Sequence, residues 1–239
     1  MQTGLYVALS AQVALEKRLR TIADNVANAN TVGFRATEVK FEDIVSQSGS
    51  DSVAYVSPGS TFLSTMSGPV KQTGNPLDFA VRGEAWFAIE TPAGPVMTRD
   101  GRFTMLETGE LVSTEGYPVL DAGGAPIQLD PFAGAPTAGS DGMLRQNGQP
   151  VGAIGLFTFA PGAQFARYGN SGVIPASPPE AVVDSLEVGV LQGFVEESNV
   201  NPVKEMTRLI MVQRAFENAA AAIRESDKSL DGAVKALGS

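Results

Sequence analysis

Four acidic residues, Asp100, Glu107, Glu110 and Glu115, fall close together in the chain, and a carboxylate pair is the usual machinery of glycoside hydrolysis. Just upstream stand Phe79, Trp86 and Phe87, whose rings are of the kind that stack on sugars. Each set has a plainer reading. The acids sit at turn sequences, where carboxylates are solvated, and aromatics at strand spacing belong to a core. The chain has no Cys and no His, which removes Cys/His zinc sites, thiol nucleophiles and every His-based triad. It has no phosphate-binding loop, no G-x-S-x-G elbow and no EF-hand loop. The residues therefore predict no catalytic, cofactor-binding or metal-binding site, and the chain is not read as an enzyme.

What the sequence does specify is two long helices. Met1, Leu5, Ala8, Gln12, Leu15, Leu19, Ile22 and Val26 alternate at spacings of four and three, as a coiled-coil seam requires. Met206, Leu209, Gln213, Phe216, Ala220, Ile223, Asp227, Leu230, Val234 and Leu237 repeat the pattern at the other end. No Gly or Pro interrupts residues 5–32 or 203–231, so each run can extend about 40 Å at roughly 1.5 Å per residue. A chain that ascends one helix and descends the other predicts an antiparallel pair. Asn201 and Pro202 supply a cap and a first helical residue for the second helix, with Glu205 in its first turn. Met206, Leu209, Ile210, Met211 and Val212 make that start apolar around most of its circumference, more than one partner helix covers.

Between the helices the composition changes: 23 of the 26 Gly lie from Gly33 to Gly193, and 14 of the 15 Pro from Pro58 to Pro179. Short alternating runs between such turns predict strands, with Asp100-Gly101 and Asn147-Gly148 as hairpin turns and Gly33 closing the first helix in a left-handed conformation. The predicted fold is α+β, with N- and C-terminal helices paired as an antiparallel coiled coil and a central, mostly antiparallel β domain. The predicted division is helix 1–34, an extended and irregular connector 35–67, a β-rich domain 68–195 and helix 196–239.

A net charge of −9 with scattered Lys and Arg argues against a nucleic-acid partner. No run of about 18 apolar residues exists to span a membrane. The apolar start, Leu5 to Leu15, lacks a preceding basic residue, and its heptad phase runs on to Val26, so no cleaved signal peptide is expected.

The run DNVANANTVGFR (Asp24 to Arg35) strongly resembles the N-terminal signature of the flagellar basal-body rod and hook family. TGNPLDFAVRGEAWFAI (Thr73 to Ile89), TRDGRFTMLETGELVSTEGYPVL (Thr98 to Leu120) and QGFVEESNVNPVKEMTRLIMVQRAFE (Gln192 to Glu217) resemble further family blocks, in family order. Within the family the length and the start of the chain look most similar to the proximal-rod type, with a distal-rod or hook-type sibling as the alternative. A periplasmic glycan-binding or glycan-cleaving β domain with helical ends is the reading from a different class.

The resemblance implies a structural subunit of the rod, an axial drive shaft crossing the periplasm, that self-assembles through its terminal helices. Its implied partners are copies of itself, other proximal and distal rod proteins and, in transit, the flagellar type III export apparatus. The expected seam is Leu5, Leu15, Leu19, Ile22 and Val26 with Met206, Leu209, Phe216, Ile223 and Leu230. Asn25, Asn28, Asn30, Gly33 and Phe34 would shape the turn from helix to connector, and Asn199, Asn201, Gln213 and Arg214 match the block that opens the second helix. Phe41 and Val45 match the Phe-x-x-x-apolar pattern that resembles an export-gate recognition segment. No cofactor is implied.

Overall fold

The computed structural model describes residues 2–46, 53–57, 59–183 and 185–237. The breaker-free runs form α1 (Gln2–Ala27) and α2 (Pro202–Leu237), and short, mostly antiparallel strands lie between them. The start of α2 is capped as its sequence predicts. Asn201 Oδ1 accepts the Lys204 N–H at 3.0 Å, Pro202 opens the helix, and Glu205 pairs with Arg208 at 2.5 Å.

The end of α1 departs from expectation. The helix stops at Ala27, a turn follows over residues 28–30, and Gly33 lies beyond it with φ +71°. Gly33 is left-handed, but it does not terminate the helix. Its N–H donates to Glu196 O at 2.7 Å, and a Cβ there would lie 2.1 Å from Asp100 N, so backbone proximity demands the glycine.

The chain forms two compact units. The first comprises α1, α2 and the segment Thr37–Thr61. That segment is not irregular: Thr37–Lys40 is a strand, and Asp43–Ser46 pairs antiparallel with Val53–Val56. Its β-branched and aromatic residues, Val39, Ile44, Val53, Tyr55 and Val56, favour strands despite the Ser and Gly around them.

Helix α1 packs on α2 and on the strands Thr37–Lys40 and Val53–Val56. A stripe beside the predicted seam serves those strands. Ser10 Oγ accepts the Val56 N–H at 3.3 Å, Lys17 Nζ donates to Gly59 O at 2.6 Å, and Ala14 is buried between them in the helix sequence. Asn25 exchanges two bonds with the Thr37 backbone, Nδ2 to O at 3.0 Å and N to Oδ1 at 2.9 Å.

The second unit holds residues 28–36 and 62–200. Its largest sheet orders the strands Phe165–Tyr168, Gly172–Pro175, Gly94–Thr98, Trp86–Thr91, Leu156–Thr158 and Glu180–Ala181, all neighbours antiparallel. Phe79, Phe87, Val96, Phe103, Leu111, Val119 and Leu144 are sealed in its core. The Asn147-Gly148 hairpin joins Met143–Gln146 to Gln149–Ala153, with both turn residues at positive φ.

Asp100-Gly101 makes no hairpin. The strand Gly94–Thr98 pairs with Trp86–Thr91 and Gly172–Pro175, whereas Phe103–Met105 pairs with Leu111–Ser113. The step carries the chain between sheets because both residues are engaged elsewhere. The Asp100 carboxylate accepts from Arg102 Nε at 2.9 Å and Nη2 at 2.6 Å, and Gly101 O accepts the Phe79 N–H at 2.9 Å. Ahead of α2 the chain forms two strands, Gly189–Gln192 and Phe194–Glu196, separated by Gly193 with φ +80°.

Candidate functional site

Within the second unit, the blocks that flank the two helices in sequence meet each other. Glu196 ends the last strand, and its carboxylate is buried between two guanidinium groups. Oε1 lies 2.9 Å from Arg35 Nε, and Oε2 accepts Arg99 Nη1 at 2.9 Å. Oε1 also accepts the Gly68 N–H at 2.9 Å. All three side chains are within about 1% of complete burial.

Two cations on one carboxylate leave positive charge inside, and carbonyl oxygens surround it. Arg35 Nη1 donates to Thr65 O at 3.1 Å and Met66 O at 2.7 Å, and Arg99 Nη2 donates to Gly83 O at 2.7 Å. The Trp86 ring lies 5.8 Å from the Arg35 guanidinium and 5.3 Å from that of Arg99. Burial pushes the Arg99 guanidinium down to about 10, against the upward pull of Glu196 and with a further downward push from Arg35. It stays protonated at neutral pH.

Around the triad the family-motif residues bind backbone. Asn199 Oδ1 accepts the Ala36 N–H at 2.7 Å, its Nδ2 donates to Met66 O at 2.7 Å, and its own N–H reaches Phe34 O at 3.3 Å. Arg167 lies 4.4 Å from the centre of the Phe34 ring and donates to Arg35 O. Asn28 Oδ1 accepts the Thr31 hydroxyl at 3.1 Å, while Asn30 is exposed. This arrangement holds no nucleophile and no open acid–base pair; it locks the two ends of the β unit's chain side by side. Sequence reading missed Glu196, Arg99 and Arg35 as functional residues. Arg99 and Glu196 stand at the ends of short apolar strands, and Arg35 follows Gly33-Phe34.

The seam residues divide. Ile22 is buried, and Leu15, Leu19, Val26, Leu209, Phe216 and Ile223 are half-buried. Met206 faces outward, and Val212, one position before the predicted Gln213, is buried instead. Gln213 and Arg214 are exposed, Gln213 bonding Glu217 at 3.2 Å. The side chains of Leu5, Leu230 and Val45 lie outside the described residues. Phe41 is half-buried in the first unit, its ring so close to Gly59 that a Cβ there would come within 2.8 Å of it. Each helix also carries an uncovered apolar row: Tyr6, Leu9 and Val13 on α1, and Val203, Met206, Ile210 and Met211 on α2.

Of the carboxylates considered for the alternative chemistry, Asp100 and Glu115 share the wall of one small hollow of about 30 Å³. Asp100 is held by Arg102, Glu107 and Glu115 are exposed at turns, and Phe79 and Phe87 pack with Phe103 in the core. Among the described residues no group of three or more acidic side chains is placed to hold a metal ion, and no helix is long and apolar enough to cross a membrane.

Three family descriptions match along the chain: "Flagella basal body rod protein" at residues 5–35, "Flagellar hook protein FlgE/F/G D1 domain" at 80–146, and "Flagellar basal body rod FlgEFG protein C-terminal" at 191–235. The chain is 69% identical to the flagellar basal-body rod protein FlgF of Mesorhizobium japonicum, across 100% of this chain and 99% of that protein. The chain belongs to the flagellar basal-body rod family. It is 59% identical to the FlgF of Rhizobium meliloti over 100% of this chain and 99% of the relative, and 33% identical to the rod protein FlgG of Bacillus subtilis over 96% and 97%. A member of this family is a structural subunit of the basal-body rod and not an enzyme. The matched segments 5–35, 80–146 and 191–235 contain Arg35, Arg99 and Glu196 respectively, so the buried lock joins all three.

Proposed function

We propose that this rod-family chain is a proximal-rod subunit whose terminal helices pair antiparallel along a coiled-coil seam and whose outward apolar rows are closed by neighbouring subunits. The observation that carries this reading is the pair of rows themselves, Tyr6, Leu9 and Val13 with Val203, Met206, Ile210 and Met211, which none of the described residues covers fully. Rows of this kind mark interaction surfaces, and in a helical assembly the contacts are heterologous and do not close on a dimer. The helices bear the torque, because close-packed side chains deform little under load. The partners are copies of this chain and other rod subunits.

In the isolated monomer the helical ends are largely unfolded and order on incorporation, which suits passage through a narrow export channel. Phe41 and Val45 serve export recognition while the chain is in that unfolded form. Phe41→Ala then lowers secretion of an overexpressed subunit; unchanged secretion would remove that role.

Deleting the gene in its motile host and imaging purified basal bodies tests the assignment. The proposal expects the distal rod and hook to be missing while the membrane ring and export apparatus persist. Complete flagella would overturn it.

A further inference from the structure

The second unit also carries a hollow that the ion triad does not use. Its volume is about 380 Å³, and Leu63, Trp86, Phe159, Pro161 and Ala163 line it, with the exposed Glu84 among its polar groups. Trp86 and Phe159 stand 5.4 Å apart in this wall, their rings inclined by 32°. A space of this size admits an aromatic side chain with its neighbour.

The same unit presents an aromatic side chain with nothing around it. Phe132 is 96% exposed, yet its loop is braced. The buried Gln146 amide accepts the Asp130 N–H at 2.9 Å and donates to Asp130 O at 2.9 Å and to Gly134 O at 2.7 Å. Asp130 Oδ1 accepts the Phe132 N–H at 2.9 Å, so the loop's one carboxylate is bound to its own backbone. A fully hydrated ring held on an ordered loop loses little conformational freedom on docking, which is how anchor residues are presented.

We propose that the Pro131-Phe132 knob of one copy of this chain seats in the Trp86–Phe159 hollow of a neighbouring copy. The inference rests on the rod-assembly reading above and names one of its contacts. Phe132 does not fill the hollow of its own chain, since it is 96% exposed, so knob and hollow are separate patches on one subunit. A contact between unlike patches is heterologous and propagates without closing, as a helical array requires. Ring meets ring in the hollow.

The test places the photoreactive residue p-benzoylphenylalanine at position 132 of the full chain in the motile host, irradiates the cells and purifies basal bodies. The expected product is an adduct of two copies of this chain, with the cross-linked peptide falling at residues 84–86 or 158–163. No adduct, an adduct with another protein, or one mapping elsewhere on the chain would overturn the proposal. The same probe at Met211 separates the two levels of inference. If Met211 joins rod subunits and position 132 does not, only the knob contact fails; if neither joins a rod subunit, the assembly reading fails with it. As a second measurement, Phe132→Ser leaves the unfolding midpoint of the purified chain unchanged and lowers rod yield by roughly tenfold, with Phe132→Tyr restoring it. Unchanged yield with Phe132→Ser would also overturn the proposal.

Discussion

In the β unit two guanidinium groups and a carboxylate are enclosed and every strand of the main sheet has a partner, whereas in the helical unit Tyr6, Ile210 and Met211 face water. One region has taken charge inside, and the other has left apolar surface outside. Both are expensive arrangements for a monomer, but they differ in what relieves them. The buried triad finds its partners within its own unit, in carbonyl oxygens and a shared carboxylate, with Arg99 Nε left without a hydrogen bond. The helical rows find no such partner among the described residues. The contrast separates a folded module from a surface that waits for neighbours.

The sharpest way to break this contrast is to remove the central carboxylate. Glu196→Gln leaves Arg35 and Arg99 buried without an anion and should destabilise the β unit by about 3–5 kcal/mol, read as a lower denaturant midpoint. A change under about 1 kcal/mol would mean that the carbonyl oxygens alone hold the two cations. Gly101→Ala comes next. Its Cβ would lie 1.9 Å from Phe79 O, so the crossing between sheets must shift, at a cost of about 1–3 kcal/mol by the same assay.

In the helical unit Asn25→Ala removes both bonds to Thr37 and should cost about 1–2 kcal/mol. Its readout is faster hydrogen exchange of the Thr37 amide in purified rods. Smallest in stability is Met211→Ser, expected within about 0.5 kcal/mol of the parent because the side chain is 65% exposed. Motility in soft agar should nevertheless fall. A destabilised monomer, or full motility, would show that the row is not an assembly surface.

The helices were legible because an apolar residue at every third or fourth position, free of Gly and Pro, has few other solutions. The cap at Asn201 was legible for the same local reason. The hairpin at Asn147 was readable because its turn needs two residues tolerant of positive φ, whereas Asp100-Gly101 offered the same letters and a different outcome. There the backbone of Phe79, brought in by tertiary structure, decided the path. Glu196 and Arg99 were illegible as partners because nothing local reports a pairing across 97 positions. The seam was read one residue out at Val212 because α2 is apolar on several faces, and periodicity cannot say which face turns inward.

The central claim is that the helical rows are completed by neighbours while the β unit is complete alone. Hydrogen exchange on a verified monomer and on purified rods tests it directly. The account predicts fast exchange over residues 6–25 and 203–223 in the monomer and strong protection in the rod, with the strands Trp86–Thr91 and Gly94–Thr98 protected in both. Helical protection in the monomer equal to that of those strands would contradict it.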